Sequence, residues 1–219
     1  MVRVYGHRAN NRHVFRRYLL VEELAGVEVD IASSGQNIVV RHGPSPITRP
    51  SLPGKVMAWI DYKFFYRDPP LRVLEIRFEE ILDMCKKKGL SLIVDLKDLD
   101  TAIKLLEEDY EFPADTIFTS RDHFAVKYLG EVSSYTVFVS LDSLPVNILD
   151  VISSANASGI SINYVYLEEW LVGALHSNDY RVFTWVVNDP ATALKLASMG
   201  VDGILSDAPD KVLNALSKS

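Results

Sequence analysis

Four short stretches carry residue types that could act together on an anionic substrate. The first is "VRVYGHR", where a short apolar run ends at Gly6 and is followed by His7 and Arg8. An imidazole and a guanidinium placed there can bind a phosphate, and histidine also exchanges protons near neutral pH. The second is "VEVDI", with Glu28 and Asp30 two residues apart. On a strand that spacing puts both carboxylates on one side, roughly 6–7 Å apart. The third is "IVDLK", which supplies Asp95 and Lys97. The fourth is "NIVVRH", a second apolar run, after a turn predicted at Ser33–Gly35, that ends in His42. Two carboxylates in a confined space repel unless a cation sits between them. With Asp95 as a third oxygen ligand, such a site suits Mg2+ or Ca2+ better than Zn2+.

The elements that would position these groups form a regular alternation. Strand candidates are residues 2–5, 27–31, 90–96, 115–119, 135–139, 160–165, 182–187 and 202–206. They are apolar, β-branched and mostly continuous, as strands buried on both faces are. Amphipathic helical stretches separate them. "RFEEILDMCKKKG" places Phe78, Ile81, Leu82 and Cys85 on one stripe and ends in three lysines and Gly89. "DPATALKLASMG" offers Asp189 as a cap, Pro190 in the first turn and Gly200 as the stop. Eight strand–helix units predict an α/β fold, a single (β/α)8 barrel over residues 1–219. A short insertion follows the second strand at 41–70, rich in proline and aromatic residues and near the active-site face. In such a barrel chemistry gathers at the C-terminal ends of the strands, where His7, Arg8, Glu28, Asp30, Asp95 and Lys97 fall. His13, His123 and His176 lie on or near helices and are read as structural.

Composition bounds the partners. Of the 219 residues, 48% are hydrophobic and 24% charged, ordinary for a globular chain, and the net charge is -6. A negative chain does not grip nucleic acid or an anionic membrane through charge alone, so a phosphate site must be local. Nucleic acid and stable membrane insertion are therefore not expected. No apolar run reaches the roughly 18 residues of a spanning helix, and the N-terminus carries no charged-then-apolar leader pattern. The single cysteine, Cys85, excludes an internal disulfide. These features together predict a cytoplasmic location. Oligomeric state is not readable.

"GHRANN", "VEVDI" and "NIVVRH", in that order, resemble the opening of the glycerophosphodiester phosphodiesterase family. That family belongs to the superfamily of phospholipase C-like phosphodiesterases. "IVDLK" is similar to its Glu-x-Lys strand, and "FTWVVNDPATALKLASMGVDGILSDAPD" to its ending. The resemblance implies a metal at the strand tips of a (β/α)8 barrel. It places Glu28, Asp30 and Asp95 as the ligands, His7 and His42 as the acid–base pair, Arg8 and Lys97 on the phosphate, and Trp185 in the substrate pocket. The implied substrate is a small glycerophosphodiester, cleaved to an alcohol and glycerol phosphate in lipid metabolism. Three positions depart from the family pattern: Ala9 replaces a glycine, Gly43 an aspartate and Asp95 a glutamate. Two alternatives stay open at this level. One is a lyase of the superfamily that closes a cyclic phosphate with the substrate's own hydroxyl. The other is a non-catalytic barrel that keeps a phosphate-ligand pocket.

Overall fold

The computed structural model describes residues 2–42 and 75–218. The chain runs β1 (Arg3–Gly6), α1 (Arg12–Tyr18), β2 (Gly26–Ser34), β3 (Asn37–Val40), α2 (Phe78–Lys88), β4 (Ser91–Leu96), α3 (Leu99–Glu107) and β5 (Ile117–Ser120). It continues with α4 (His123–Val132), β6 (Thr136–Leu141), α5 (Ile148–Ser154), β7 (Gly159–Asn163), α6 (Glu169–His176), β8 (Arg181–Trp185), α7 (Pro190–Ser198), β9 (Gly203–Ser206) and α8 (Pro209–Leu216). Eight of the strands are parallel. The order β1-β2-β4-β5-β6-β7-β8-β9 closes because β1 pairs with both β2 and β9. The fold is the expected (β/α)8 barrel. Its predicted insertion at 41–70 lies outside the described residues except for Arg41 and His42.

Strand alternation sorts the side chains into two cores. On β2, Val27, Val29 and Ile31 face the helices, and on β4 so do Leu92, Val94 and Leu96. The intervening residues point into the barrel. There Tyr5, Ile93, Ile117, Phe138, Phe183 and Leu205 form a separate apolar plug. The Phe183 ring packs on Phe138, centroids 5.1 Å apart and nearly perpendicular, and on Tyr5 at 5.4 Å. The plug needs glycine opposite it. A Cβ at Gly203 would lie 2.6 Å from the Phe183 ring, and one at Gly159 would lie 2.4 Å from the Arg181 carbonyl oxygen. Apolar residues thus fill the lower layer of the barrel. The layer toward the strands' C-terminal ends carries Glu28, Asp30, Asp95, Thr119, Ser140 and Ser161, which line a cleft.

Local chemistry sets the ends of elements. Asp98, Asp122 and Asp189 accept hydrogen bonds from backbone amides at the starts of α3, α4 and α7. Gly89 closes α2 in the left-handed region at φ 66°. Several strand boundaries shift by one to three residues from the sequence reading, and two of the shifts redirect the chain. The second strand runs on to Ser34 and turns at Gly35 (φ 60°) into the antiparallel strand β3. That hairpin carries His42 back to the barrel. The strand expected over 160–165 stops at Asn163, whose side chain accepts from the Val165 amide and bends the chain into a single 3-10 turn. No helix among the described residues is long and apolar enough to cross a membrane.

Candidate active site

The site begins at the end of β1. Gly6 lets the chain pass the Tyr18 ring, since a Cβ there would sit 2.5 Å from it. Tyr18 in turn donates to the His7 carbonyl at 2.8 Å. Arg8 follows in the left-handed region at φ 51°. That uncommon conformation points its amide at Glu28, which accepts at 2.7 Å through Oε2. Ala9, where a glycine was expected, is fully buried, and its amide donates to the Glu28 carbonyl at 2.8 Å. The residue that takes the unusual φ is Arg8, so alanine fits.

Glu28 and Asp30 both point inward from β2, 4% and 2% exposed. Asp95 stands beside Asp30 because the two are register partners across β2 and β4. Carboxylate oxygens of all three lie within 4.8 Å of one another. Burial, with the negative charges of Asp30 and Asp95, holds the Glu28 carboxyl well above its ordinary pKa. Burial also lifts Asp95, to about 6, against the pull of Lys97. Asp30 goes the other way. Burial alone would raise it, but the Lys97 ammonium, His42 and the Asn10 amide outweigh that and keep it ionised. Lys97 donates to both Asp30 and Asp95. Those two carboxylates, after the opposing effect of burial, hold it protonated.

Two buried carboxylates and the half-buried Asp95 crowd around one ammonium and cannot all ionise comfortably. The residues therefore fit a divalent cation: an all-oxygen donor set, inward-facing, short of positive charge.

The two histidines flank this cluster. His7 Nε2 lies 4.0 Å from Glu28 Oε2, and its Nδ1 is 2.9 Å from Asp207 Oδ1. His42 Nε2 lies 4.0 Å from Asp30 Oδ1 and accepts from the Arg8 guanidinium at 2.7 Å. Burial lowers the His42 pKa to about 4, helped by the charges of Lys97, Arg8 and Arg121 and opposed by Asp30. His42 is thus neutral at physiological pH. A cleft opens over the cluster, with Trp185 on its wall and the Arg121 guanidinium 5.3 Å from the centre of the Trp185 ring.

Every residue singled out in the sequence gathers here. His7, Arg8, Glu28, Asp30, His42, Asp95 and Trp185 line the cleft, and Lys97 joins through Asp30 and Asp95. Sequence reasoning passed over four others. Asn10 is 4% exposed, donates to Asp30 Oδ2 at 2.5 Å and accepts from the Asp30 amide at 2.9 Å. Asp207 holds His7. Thr119 and Arg121 line the cleft from the end of β5. Position at a strand end was the available signal for Thr119, Arg121 and Asp207. Asn10 offered none. Gly43, the departure beside His42, lies outside the described residues.

The model of the glycerophosphoryl diester phosphodiesterase family matches residues 25–211. The chain belongs to this family. YhdW of Bacillus subtilis, whose name assigns it only provisionally as a glycerophosphodiester phosphodiesterase, is 39% identical over 57 residues. That segment is 26% of this chain and spans about a quarter of the relative, 24%. Among solved structures, a phosphodiesterase of Oleispira antarctica in complex with the product sn-glycerol-3-phosphate superposes with a TM-score of 0.76. It is 18% identical, over 99% of this chain and 97% of its own. A glycerophosphodiester phosphodiesterase of Parabacteroides distasonis superposes with a TM-score of 0.75 at 20% identity, over 99% and 97% of the two chains. At these identities the family's structures attest the shared barrel.

Proposed function

We propose that this protein is a metal-dependent phosphodiesterase that hydrolyses a glycerophosphodiester to an alcohol and glycerol phosphate, with His7 and His42 as the acid–base pair. The observation that carries the reading is the pair of imidazoles, each with Nε2 4.0 Å from a different carboxylate of one three-acid cluster. The Oleispira relative, with its glycerol phosphate product, supports the substrate class.

Glu28, Asp30 and Asp95 would hold one divalent cation, Mg2+ or Ca2+, which when bound supplies charge neutralisation for the phosphate. The Arg8 guanidinium reaches the cleft beside His42 and adds a second positive group toward a phosphate oxygen. Lys97, fixed by two acids, adds a third. With the phosphodiester held there, one imidazole takes the proton from the attacking water while the other gives one to the departing alkoxide. Trp185 offers an apolar wall to the glycerol or alcohol portion. The cleft is lined mainly by polar and charged side chains suited to a small diester, and the role we propose is lipid-headgroup turnover in the cytoplasm. The barrel and the 41–70 insertion are proposed to act as one domain.

The test is hydrolysis of glycerophosphocholine and glycerophosphoethanolamine with Mg2+, Ca2+ or neither, followed by phosphorus NMR. Glycerol phosphate appearing only with a divalent cation supports the reading. A cyclic phosphate as the end product assigns the lyase instead. No turnover of any diester with either cation overturns the enzyme reading.

A further inference from the structure

His7 is tied to a chain of hydrogen bonds that the acid–base reading does not use. Its Nδ1 lies 2.9 Å from Asp207 Oδ1, immediately after β9. The other oxygen, Asp207 Oδ2, accepts from Asn188 Nδ2 at 3.3 Å. Asn188, just beyond β8, cannot turn its amide over. Its Oδ1 accepts from the Asp207 backbone N–H at 2.8 Å and from the Ser206 hydroxyl at 3.0 Å. A peptide N–H only donates, so the atom facing it is the amide oxygen and the NH2 faces the carboxylate. The Ser206 hydroxyl accepts from the Ala208 amide at 3.0 Å, which leaves its proton for Asn188. The Arg17 side chain further pins this loop by donating to the Asp207 carbonyl at 2.8 Å.

We propose that Asn188 and Asp207 are positioning residues that lock His7 in the tautomer with its proton on Nδ1, so that Nε2 faces the substrate. The inference rests on the acid–base role given to His7 above. The lock serves either role. As a base, His7 needs a lone pair on Nε2. As an acid, its imidazolium still donates Nδ1–H to Asp207. Asp207 accepts on both oxygens and is held below its usual pKa by its hydrogen bonds and charge contacts with His7, after the opposing effect of burial.

The arrangement makes a sharp distinction. In Asp207→Asn the Asn188 NH2 forces the new amide to present its oxygen to Asn188 and its NH2 to His7. An NH2 facing Nδ1 selects the wrong tautomer, with the proton on Nε2. In the exchange Asn188→Asp with Asp207→Asn, the new carboxylate at 188 still accepts from Ser206 and the 207 amide. It now also accepts from the NH2 at 207, whose oxygen turns back to His7. The correct tautomer returns.

The experiment uses 15N-histidine-labelled protein with saturating Mg2+ or Ca2+, about two pH units above the ordinary imidazole pKa. His7 signals are assigned by their loss in His7→Ala. Turnover of glycerophosphocholine is measured in parallel. The expected result is Nδ1–H in the wild type and Nε2–H in Asp207→Asn, with kcat down on the order of 10²–10⁴ and KM little changed. The exchange is expected to restore Nδ1–H and to recover at least tenfold of the lost kcat. Nε2–H in the wild type, retention of Nδ1–H in Asp207→Asn, or an exchange no better than the single variant overturns the proposal. The tautomer signal needs no turnover. Expected spectra from a protein that hydrolyses no diester would support the lock and overturn the enzymatic reading alone.

Discussion

Replacing Asp95 by Asn should make the metal-free protein more stable. Asp95 faces Asp30 in register, close to Glu28, and burial raises its pKa from 3.8 to about 6. A carboxyl whose folded pKa is raised contributes its stability at low pH and loses it as pH climbs from the unfolded to the folded value. The window here is about pH 4 to 6. Above it, the ionised group costs about 3 kcal/mol, from roughly two pKa units at 1.36 kcal/mol each. Asn keeps the shape and offers its oxygen to Lys97 and its NH2 to a neighbouring carboxylate, without the charge. In EDTA above about pH 7 the variant should melt about 6–12 °C higher than wild type. The gap should narrow as pH falls through this window and close below about pH 4, where wild-type Asp95 becomes protonated in both states. A divalent cation reverses the order. By mass action it stabilises the wild type by about 4.1 kcal/mol at a thousandfold excess over its dissociation constant, and the variant far less. The assay is thermal melting across pH, in EDTA and in titrated Mg2+ or Ca2+. A variant less stable than wild type in EDTA at neutral pH, or a difference that does not change with pH, would refute the reasoning.

His7→Ala and His42→Ala should each lower kcat on glycerophosphocholine by about 10²–10⁴, and the double variant should be little worse than the poorer single one. Steady-state kinetics checks this, with melting curves to show that the fold is kept. Asp30→Ala should remove the cation-dependent melting shift and cost about 3–5 kcal/mol, because it deprives Lys97 and Asn10 of their shared buried partner. Calorimetric titration with Mg2+ or Ca2+ and urea unfolding measure the two effects. Phe183→Ala should cost about 3–5 kcal/mol in urea unfolding, since the barrel plug closes around that ring and Gly203 cannot fill the space.

The barrel was legible in the sequence because each of its elements is set locally. Alternation in "VEVDI" and "SLIVDL" sends valines and leucines outward and the acids inward whatever the rest of the chain does. Capping aspartates and Gly89 mark helix ends by bonds that span three or four residues. Strand-end position then brought His7, Glu28, Asp30 and Asp95 to one face. Less local features escaped. The pairing of β3, read only as an apolar run after a turn, depends on the backbone of β2, and the early stop at Asn163 depends on one side-chain hydrogen bond. The pairings that define the site depend on barrel closure. His7 meets Asp207 across 200 positions of sequence, Arg8 meets His42 across 34, and Lys97 reaches Asp30 across 67. Asn10 is a polar loop residue by sequence and a buried ligand of Asp30 by structure. The residue types and their periodicity determined which groups face inward. Only the closed barrel decided which of them touch, and therefore which carboxyls are pushed up, which is held down, and that the His42 pKa is lowered, because those shifts come from charges and burial contributed by distant strands.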